Sequence, residues 1–311
     1  MDKKSKIILI AGPTASGKSN FALKIAKKTN GEIINSDSMQ IYKEIKVLNA
    51  RPKIQDTKNV RHHLYGFHSV KKNFSTGDWL KKTVKLIRRI QKKNKTPILV
   101  GGTGLYFKAL INGLAKIPMI PMKYRNKIRQ EHIKIGQKKF YKKLIKIDPI
   151  AKLKINAKDS QRTLRAYEVK KYTKTSIFEW FKKTKKYFDE KDFIKILVEC
   201  PRDELVIRIN KRVDNMILAG AVNEVKKLQK LNIKRDKPSN KVIGILEISK
   251  FLEGDQNIEA TKEQISIKTR QYAKRQRTWA RNQMIEWEKI DYRSLSSYIK
   301  KIKISSLKLD Q

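Results

Sequence analysis

Short apolar runs alternate with longer amphipathic segments along the chain, and this alternation predicts parallel strands joined by helices. The runs lie at 7–11, within 32–40, at 96–100 and within 192–200. Each has about the length of a buried strand. We therefore expect an open parallel sheet, in which ligands bind at the carboxyl ends of the strands.

The residues after Ser75 show the periodicity of an amphipathic helix. Ser75 and Asp78 suit the start of a helix, because their side chains can accept hydrogen bonds from the first amides. Side chains then recur on one face at Leu80, Val84, Ile87 and Gln91. This pattern predicts a helix that leads the chain back to the strand at 96–100.

A second helix is predicted near the carboxyl terminus, and its two faces differ. Ile265, Tyr272 and Trp279 recur every seven residues and indicate a face directed at the core. Another face carries a basic stripe, which consists of Arg270, Lys274, Arg277 and Arg281. One side of this helix therefore suits a core and the other a phosphate backbone.

The pattern changes to long lysine-rich helical runs between the strands at 96–100 and 192–200, with Pro118 and Pro121 at the entry. We interpret residues 116–195 as an inserted helical domain. The core would then consist of residues 1–115 and 196–311.

Two arginine pairs stand out. Within the insertion, Asp159 is a good N-cap, and Arg162 and Arg165 follow three apart on one helical face. In the core, Arg208 and Arg212 are four apart, so both can point into one site. A solvated face is the alternative for the pair in the insertion.

The segment between the first strand and its helix reads Gly-Pro-Thr-Ala-Ser-Gly-Lys-Ser, which satisfies the G-x-x-x-x-G-K-[ST] pattern. In such loops the amides turn toward an anion, and the next helix adds partial positive charge. Lys18 would reach the outer phosphate oxygens, and Ser19 would hold Mg²⁺ as the cofactor. The predicted phosphate loop consists of Gly12, Pro13, Thr14, Ala15, Ser16, Gly17, Lys18 and Ser19. A glycine turn without a ligand is the alternative.

Polar residues end the next two strands. Asp37 falls at the carboxyl end of the second strand, beside whatever the loop binds, although a cap or turn is the alternative role. The strand at 96–100 ends in Gly101-Gly102-Thr103. An ATPase would usually carry an acid there, so its absence argues against a motor or hydrolase and places a small hydroxyl near a phosphate.

The composition indicates a polyanionic partner. The chain has 311 residues, and lysine and arginine number 74 against 29 aspartate and glutamate, a net charge of +45. Nucleic acid is the first partner to consider. A codon bias toward lysine is the alternative, and arginines discriminate better because their fork matches phosphate.

Other features bound the class of protein. A single cysteine, Cys200, excludes a disulfide framework. No uncharged apolar run is long enough for a membrane span, so we expect a soluble, cytoplasmic protein. We also expect a monomer. The adjacent histidines His62 and His63 point opposite ways on an extended segment, which favours structural or substrate contacts over a metal site.

Taken together, these motifs resemble the tRNA dimethylallyltransferase family, also called tRNA isopentenyltransferase, over nearly the whole chain. The segments that carry the resemblance are 12–19, 35–42, 101–106, 159–162 and 269–276. The resemblance implies an α/β fold with a P-loop parallel-sheet core, helices on both faces and an inserted all-helical lobe. It also implies transfer of a dimethylallyl group from dimethylallyl pyrophosphate to the exocyclic amine of the adenosine beside the anticodon in tRNA.

The resemblance also assigns roles to residues. Lys18, Ser19, Thr103 and Arg212 would surround the leaving pyrophosphate with magnesium, and Asp37 would be the general base. The tRNA would meet Asp37, Ser38, Met39, Gln40, Arg125, Gln161, Arg162, Thr163, Leu164 and Arg165, in addition to the basic stripe.

Two segments depart from the family pattern. The family often shows His-His-Leu, one residue and then Asp, where this chain has Tyr65-Gly66. Near Gly244 it commonly shows Gly-Tyr and a basic residue, where this chain has Ile245-Leu246. Both departures bear on tRNA contacts rather than on the reaction.

Three other functions stay open from the residues. A P-loop kinase for a nucleotide or small metabolite would use the same loop to bind ATP. A non-catalytic nucleic-acid-binding module would need only the basic residues. Prenyl transfer to free adenine nucleotides would share the chemistry but not the tRNA.

Overall fold

A six-stranded parallel sheet organises the computed structural model, which describes residues 5–52, 54–234 and 236–302. Its strands are β1 (Ile7–Ala11), β2 (Gly31–Asn35), β3 (His62–His63), β4 (Thr96–Gly101), β5 (Phe193–Glu199) and β6 (Glu288–Asp291). They are arranged in the order β3-β2-β4-β1-β5-β6, and every neighbouring pair is parallel. The four strands predicted from the apolar runs are confirmed.

The chain divides into two compact units, one up to Ile111 and again from Phe188, the other from Asn112 to Tyr187. The first unit contains the sheet. Its helices are α1 (Lys18–Lys28), α2 (Ile54–Lys58), α3 (Thr76–Gln91), α4 (Gly104–Asn112), α9 (Arg202–Leu218), α10 (Ala221–Gln229), α11 (Ile245–Leu252), α12 (Ile258–Gln283) and α13 (Leu295–Lys301). Short 3₁₀ turns lie at Glu190–Asp192, Pro238–Lys241 and Tyr292–Ser294.

Both faces of the sheet are covered by helices. The side chains of β1 alternate between two cores: Ile7 and Leu9 pack with residues of α3 and α4, whereas Ile8 and Ile10 pack with residues of α1. A further core joins α9, α10, α11 and α12. The α/β class with helices on both faces is therefore confirmed.

The second unit is helical, as expected for the insertion. Its helices are α5 (Met122–Ile147), α6 (Ala151–Lys154), α7 (Ser160–Thr173) and α8 (Ile177–Lys182). Gly136 interrupts α5, since its φ of 73° and ψ of 162° are not helical. Residues 188–195 lie with the first unit rather than with the predicted insertion, because β5 begins at Phe193.

The sheet register brings three loops to one edge. Ala11 pairs with Gly101, and Asn35 pairs with Val100, so β2, β4 and β1 end side by side. The loops after these strands carry the phosphate motif, Asp37 and Thr103. The sequence predicted this placement, which is the usual ligand-binding edge of an open parallel sheet.

Candidate active site

The phosphate loop forms a tight turn between β1 and α1. Ala15 and Gly17 both have positive φ, at 65° and 88°, and the amide of Ser16 donates to the carbonyl of Pro13 at 3.3 Å. Helix α1 begins immediately afterwards at Lys18. The loop is thus followed by a helix amino terminus, the arrangement that binds anions in P-loop proteins.

Lys18 is a partly buried cation beside this loop. Its Nζ donates to the carbonyl of Pro13 at 3.0 Å. Burial lowers the pKa of Lys18 to about 8; the nearby Asp37 carboxylate opposes this shift and Arg212 adds to it. The ammonium is therefore destabilised until an anion arrives.

Arg212 on α9 supplies a second cation. Its Nη1 donates to Oγ1 of Thr14 at 3.1 Å, which ties the guanidinium to the phosphate loop. Burial lowers the pKa of Arg212, and Asp37 opposes the shift. One turn earlier, Arg208 pairs with Glu204 at 2.6 Å and stacks over the Tyr292 ring at 4.2 Å.

A hydrogen-bonded turn holds Asp37. Its Oδ1 accepts from the amide of Met39 at 2.9 Å, and its own amide donates to Oδ1 of Asn35 at 2.8 Å. The buried Asn35 also donates from Nδ2 to the carbonyls of Asp37 and Leu64, at 2.9 and 3.0 Å. No hydrogen bond to the described residues engages Oδ2 of Asp37, so that oxygen can accept from a substrate.

Thr103 and Gln276 link the loops at this edge. Oγ1 of Thr103 accepts from the amide of Ser38 at 2.9 Å. Gln276 on α12 accepts from the amide of Thr14 at 2.8 Å and donates to the carbonyl of Gly102 at 3.1 Å. A Cβ on Gly102 would lie 1.9 Å from Nε2 of Gln276, so this link requires glycine.

The loops enclose one side of a cavity of about 620 Å³. Polar groups from Lys18, Asp37, Arg212 and Tyr272 line it. Apolar side chains that pack together in the core of α9 to α12 also line it: Leu48, Ile209, Val213, Met216, Val242, Ile243 and Ile265. Such a cavity accommodates a ligand that is charged at one end and apolar at the other. Thr103 is not part of the cavity wall, and its hydroxyl holds the loop that carries Asp37 through the amide of Ser38.

The other predicted residues of the loop after β2 also lie here. Met39 and Gln40 line the cavity. Nε2 of Gln40 donates to the carbonyl of Asn49 at 2.8 Å. Ser38 is held through Thr103, as described above. Ser19 lies at the cavity in the first turn of α1.

The basic stripe lies on α12 as predicted. Lys274, Arg277 and Arg281 are exposed, and Arg270 is half-buried. None of the four forms an ion pair with the described residues. The predicted core face of the same helix is only partly correct. Ile265 is buried, and both Ile265 and Tyr272 line the cavity, where burial and the Asp37 charge raise the pKa of Tyr272.

The predicted tRNA residues of the second unit differ in environment. Gln161 and Arg162 are exposed, and Arg162 pairs with Asp159 at 3.5 Å. Thr163 is fully buried and donates to the carbonyl of Asp159 at 2.6 Å, while Leu164 packs at the core. Arg125 and Arg165 both face the carboxylate of Glu168.

The two segments that depart from the family pattern have defined environments in the structure. Tyr65 lines the cavity, and burial followed by the Asp37 charge raises its pKa. Gly66 has a φ of 54°, and a Cβ there would lie 1.3 Å from Nη1 of Arg51. Gly244 caps α11 with a φ of 104°, and its amide donates to Glu247 at 2.7 Å.

The adjacent histidines form part of the sheet. They form β3, and Nε2 of the buried His63 lies 2.6 Å from Oε2 of Glu32. Burial lowers the pKa of His63, and hydrogen bonding to Glu32 opposes the shift. The described residues contain no cluster of three or more His, Cys, Asp or Glu suited to a metal.

Sequence reasoning missed Asn35 and Gln276 as parts of the site, and it missed the apolar wall. Both polar residues stand inside the quoted motifs, so the motifs marked the segments but not these contacts. The period of α9, in which Leu205, Ile209, Val213 and Met216 share a face, was the available signal for the wall.

We expect Asn35→Ala to lower the free energy of unfolding by about 1–3 kcal/mol, because it leaves the partly buried carbonyl of Leu64 and amide of Asp37 without their partner. Urea denaturation measures this change. Asn282→Ala, at an exposed position of α12, is the matched control. A loss no larger than that of the control would mean that Asn35 does not hold the Asp37 turn.

Comparisons with known proteins agree with this geometry. The family model described as IPP transferase matches residues 40–283. A "tRNA dimethylallyltransferase" of Pelagibacter ubique is 59% identical over 311 residues, which cover 100% of this chain and 99% of that protein. One of Bartonella henselae is 44% identical, covering 91% of this chain and 98% of that protein.

Solved structures show the same fold. A eukaryotic dimethylallyltransferase described as acting on tRNA superposes with a TM-score of 0.82 at 28% identity, covering 94% of this chain and 75% of that one. The tRNA isopentenylpyrophosphate transferase of Bacillus halodurans superposes with a TM-score of 0.68 at 31% identity, covering 96% and 95%. Among the described residues no helix is both long and apolar enough to span a lipid bilayer.

Proposed function

Because the chain belongs to the IPP transferase family of tRNA dimethylallyltransferases, we propose that its cavity carries out dimethylallyl transfer from dimethylallyl pyrophosphate to an adenosine of tRNA. The chain is accordingly an enzyme, a prenyltransferase that acts on tRNA. The acceptor would be the exocyclic amine of the adenosine beside the anticodon. The observation that carries this proposal is the joining, in one cavity, of a phosphate loop, two cations, a carboxylate and an apolar wall.

The donor fits the polarity of the cavity. Its pyrophosphate would lie at the loop, where Lys18 and Arg212 provide positive charge, and its five-carbon chain would lie against the apolar wall. As the bond from carbon to oxygen breaks, positive charge grows on the allylic carbon and negative charge grows on the leaving oxygens. The loop amides, Lys18 and Arg212 are in place before the reaction starts. They stabilise that negative charge as it develops.

Magnesium fits this donor set in a particular way. The Ser19 hydroxyl at the cavity is a hard oxygen ligand, and no carboxylate cage accompanies it among the described residues. Mg²⁺ prefers few protein ligands together with substrate phosphates. Ser19 would therefore hold an ion that mainly binds the pyrophosphate, and the ion would add positive charge to the leaving group.

The acceptor needs a base and access to the cavity. Asp37 lies in the cavity wall, and its Oδ2 can take a proton from the amine as the bond from nitrogen to carbon forms. The adenine must leave its stack to reach this carboxylate, as in other enzymes that act on a base. The net charge of +45 favours the approach of tRNA.

Incubation of the protein with radiolabelled dimethylallyl pyrophosphate and either unmodified tRNA or AMP tests the proposal. We expect label on tRNA and not on AMP. Label on AMP alone would support prenyl transfer to free nucleotides. The wild-type protein should also release no sustained inorganic phosphate from ATP, and robust ATP turnover would support a kinase or ATPase instead.

The basic stripe gives a separate prediction. Replacing Arg277 and Arg281 with Gln should weaken tRNA binding and reduce the slope of log K against log salt by about one unit for each lost phosphate contact. Binding is measured by fluorescence anisotropy at several salt concentrations. Replacing Arg88 and Arg89, which are exposed on α3, with Gln removes the same charge. Equal slopes in both double variants would show that the stripe is only solvated charge.

A further inference from the structure

Three arginines of the second unit surround one buried carboxylate. Glu168 is 1% exposed, and its Oε2 accepts from Nε of Arg125 at 2.9 Å. Nε of Arg129 lies 3.6 Å from Oε1, and Nη1 of Arg165 lies 3.6 Å from Oε2. We name these four residues the arginine cluster.

Two helices build this cluster by simple spacing. Arg125 and Arg129 are one turn apart on α5, and Arg165 and Glu168 are three apart on α7. The carboxylate is buried between them, whereas the three arginine side chains are 29%, 44% and 40% exposed. Each arginine side chain therefore contacts Glu168 and is also partly exposed to solvent.

The cluster carries more positive charge than the carboxylate needs. One guanidinium would neutralise Glu168, so the three leave a surplus of two charges. Glu131, an acid of α5, pairs with Lys143 instead. Burial lowers the pKa of Arg165; Glu168 opposes the shift and Arg125 adds to it. Guanidiniums gathered this closely repel one another, and a bound anion would relieve the repulsion.

The use of arginine is also selective here. Residues 112–187 contain nineteen lysines but only four arginines, and three of those four belong to the cluster. A preference for lysine explains the general charge of this unit but not the concentration of arginine at one point. Guanidiniums bind phosphate with two parallel hydrogen bonds, which an ammonium cannot do.

We propose that the arginine cluster is a binding site for a phosphate of the RNA backbone, in which Arg129 is a ligand and Glu168 is a positioning residue. This inference rests on the proposed function and adds two residues to it. Glu168 fixes the direction of three forks that would otherwise sample many rotamers. The site thus gains a defined geometry at the cost of one negative charge.

The first test is Arg129→Gln, with Arg88→Gln as the matched control. We expect the control to bind tRNA like the wild type. Arg129→Gln should weaken tRNA binding and reduce the salt slope by about one. The KM for tRNA should rise while the KM for the donor stays unchanged. A slope and a KM equal to those of the control would overturn the assignment of Arg129.

The second test is Glu168→Gln, which keeps the shape of the side chain and removes its charge. If the only effect of the carboxylate were electrostatic repulsion of the RNA phosphates, the variant would bind tRNA more tightly. If it positions the arginines, tRNA binding weakens although the unit becomes more positive. Circular dichroism at the assay temperature shows whether the variant is folded, and Arg129→Gln decides the question if it is not.

Prenyl transfer by the wild type is measured in parallel. If the wild type transfers label to tRNA but Arg129→Gln behaves like the control, the cluster inference fails and the proposed function stands. If Arg129→Gln weakens tRNA binding while the wild type transfers nothing, the cluster remains an RNA site and the proposed function fails.

Discussion

Replacement of Asp37 by Asn is expected to lower the rate of prenyl transfer by about a hundredfold to ten-thousandfold, with little change in donor affinity. The lone pair of adenine's exocyclic amine is delocalised into the ring, so the amine is a weak nucleophile. Its proton becomes acidic only as the new bond to carbon forms. A carboxylate within hydrogen-bond reach can accept that proton late in the step, and an amide cannot.

The structure makes this variant informative. The oxygen of an Asn side chain can still accept from the amide of Met39, and the turn held by Asn35 involves only the backbone of residue 37. The shape of the loop should therefore survive. The loss would then report basicity rather than misplacement of the loop.

Single-turnover assays with labelled donor measure the rate, and isothermal titration measures donor affinity. Asp255→Asn, at an exposed position before α12, is the matched control and should keep the wild-type rate. Near wild-type turnover by Asp37→Asn would leave Asp37 with only the role of an Asx turn after β2.

The sequence predicted those parts of the fold whose causes are local. The apolar run of β1, the glycines after it and the start of α1 lie within about twenty residues. The cap of α3 is similarly local: Ser75 and Asp78 form the expected reciprocal hydrogen bonds. In each case the residues that decide the conformation are neighbours in the chain, so their spacing alone identifies the element.

Elements that depend on distant partners were not predicted. β3 has two residues and β6 has four, which is too short for an apolar period. Both strands exist because they pair with β2 and β5. The interruption of α5 at Gly136 also lacked a signal, since a single glycine inside a helical pattern is usually tolerated.

The candidate site also combines features that local sequence predicts with features that depend on residues far apart in the chain. The phosphate loop and Asp37 could be placed from the order of strands, because parallel strands end at one edge. The bridge from Gln276 to Thr14 could not, since the two residues are 262 positions apart. The period of α12 suggested that Tyr272 points to a core, and it does point inward, but toward a cavity that only the assembled fold creates.

Replacement of Lys18 by Gln is expected to lower kcat/KM for the donor by about a hundredfold to a thousandfold, the usual cost of removing one donor to developing negative charge. Lys18 is partly buried, and its Nζ forms a hydrogen bond only with the carbonyl of Pro13 and no ion pair among the described residues. Its charge is therefore available to the pyrophosphate. Arg212→Gln is the companion variant, because it removes a second cation that lines the same cavity and contacts the phosphate loop.

The pH dependence separates charge from shape. In the free enzyme burial lowers the pKa of Lys18 to about 8, so its ammonium is lost as the pH rises through that value. The profile of kcat/KM reports groups of the free enzyme. For the donor, kcat/KM of the wild type should therefore fall on the alkaline side with a midpoint near pH 8. The residual activity of Lys18→Gln should lack that fall.

Folding stability should change in the opposite direction from activity. The pKa of Lys18 falls from 10.5 to about 8 on folding, so the charged form disfavours the folded state below pH 8. That cost declines as the pH rises from 8 toward 10.5, where the ammonium of the unfolded chain also loses its proton. At pH 7 the neutral Lys18→Gln variant, without ligand, should therefore melt no lower than the wild type. A clear drop in the melting temperature of this variant would show that Lys18 supports the fold. An alkaline fall of kcat/KM that persists in the variant would show that another group titrates.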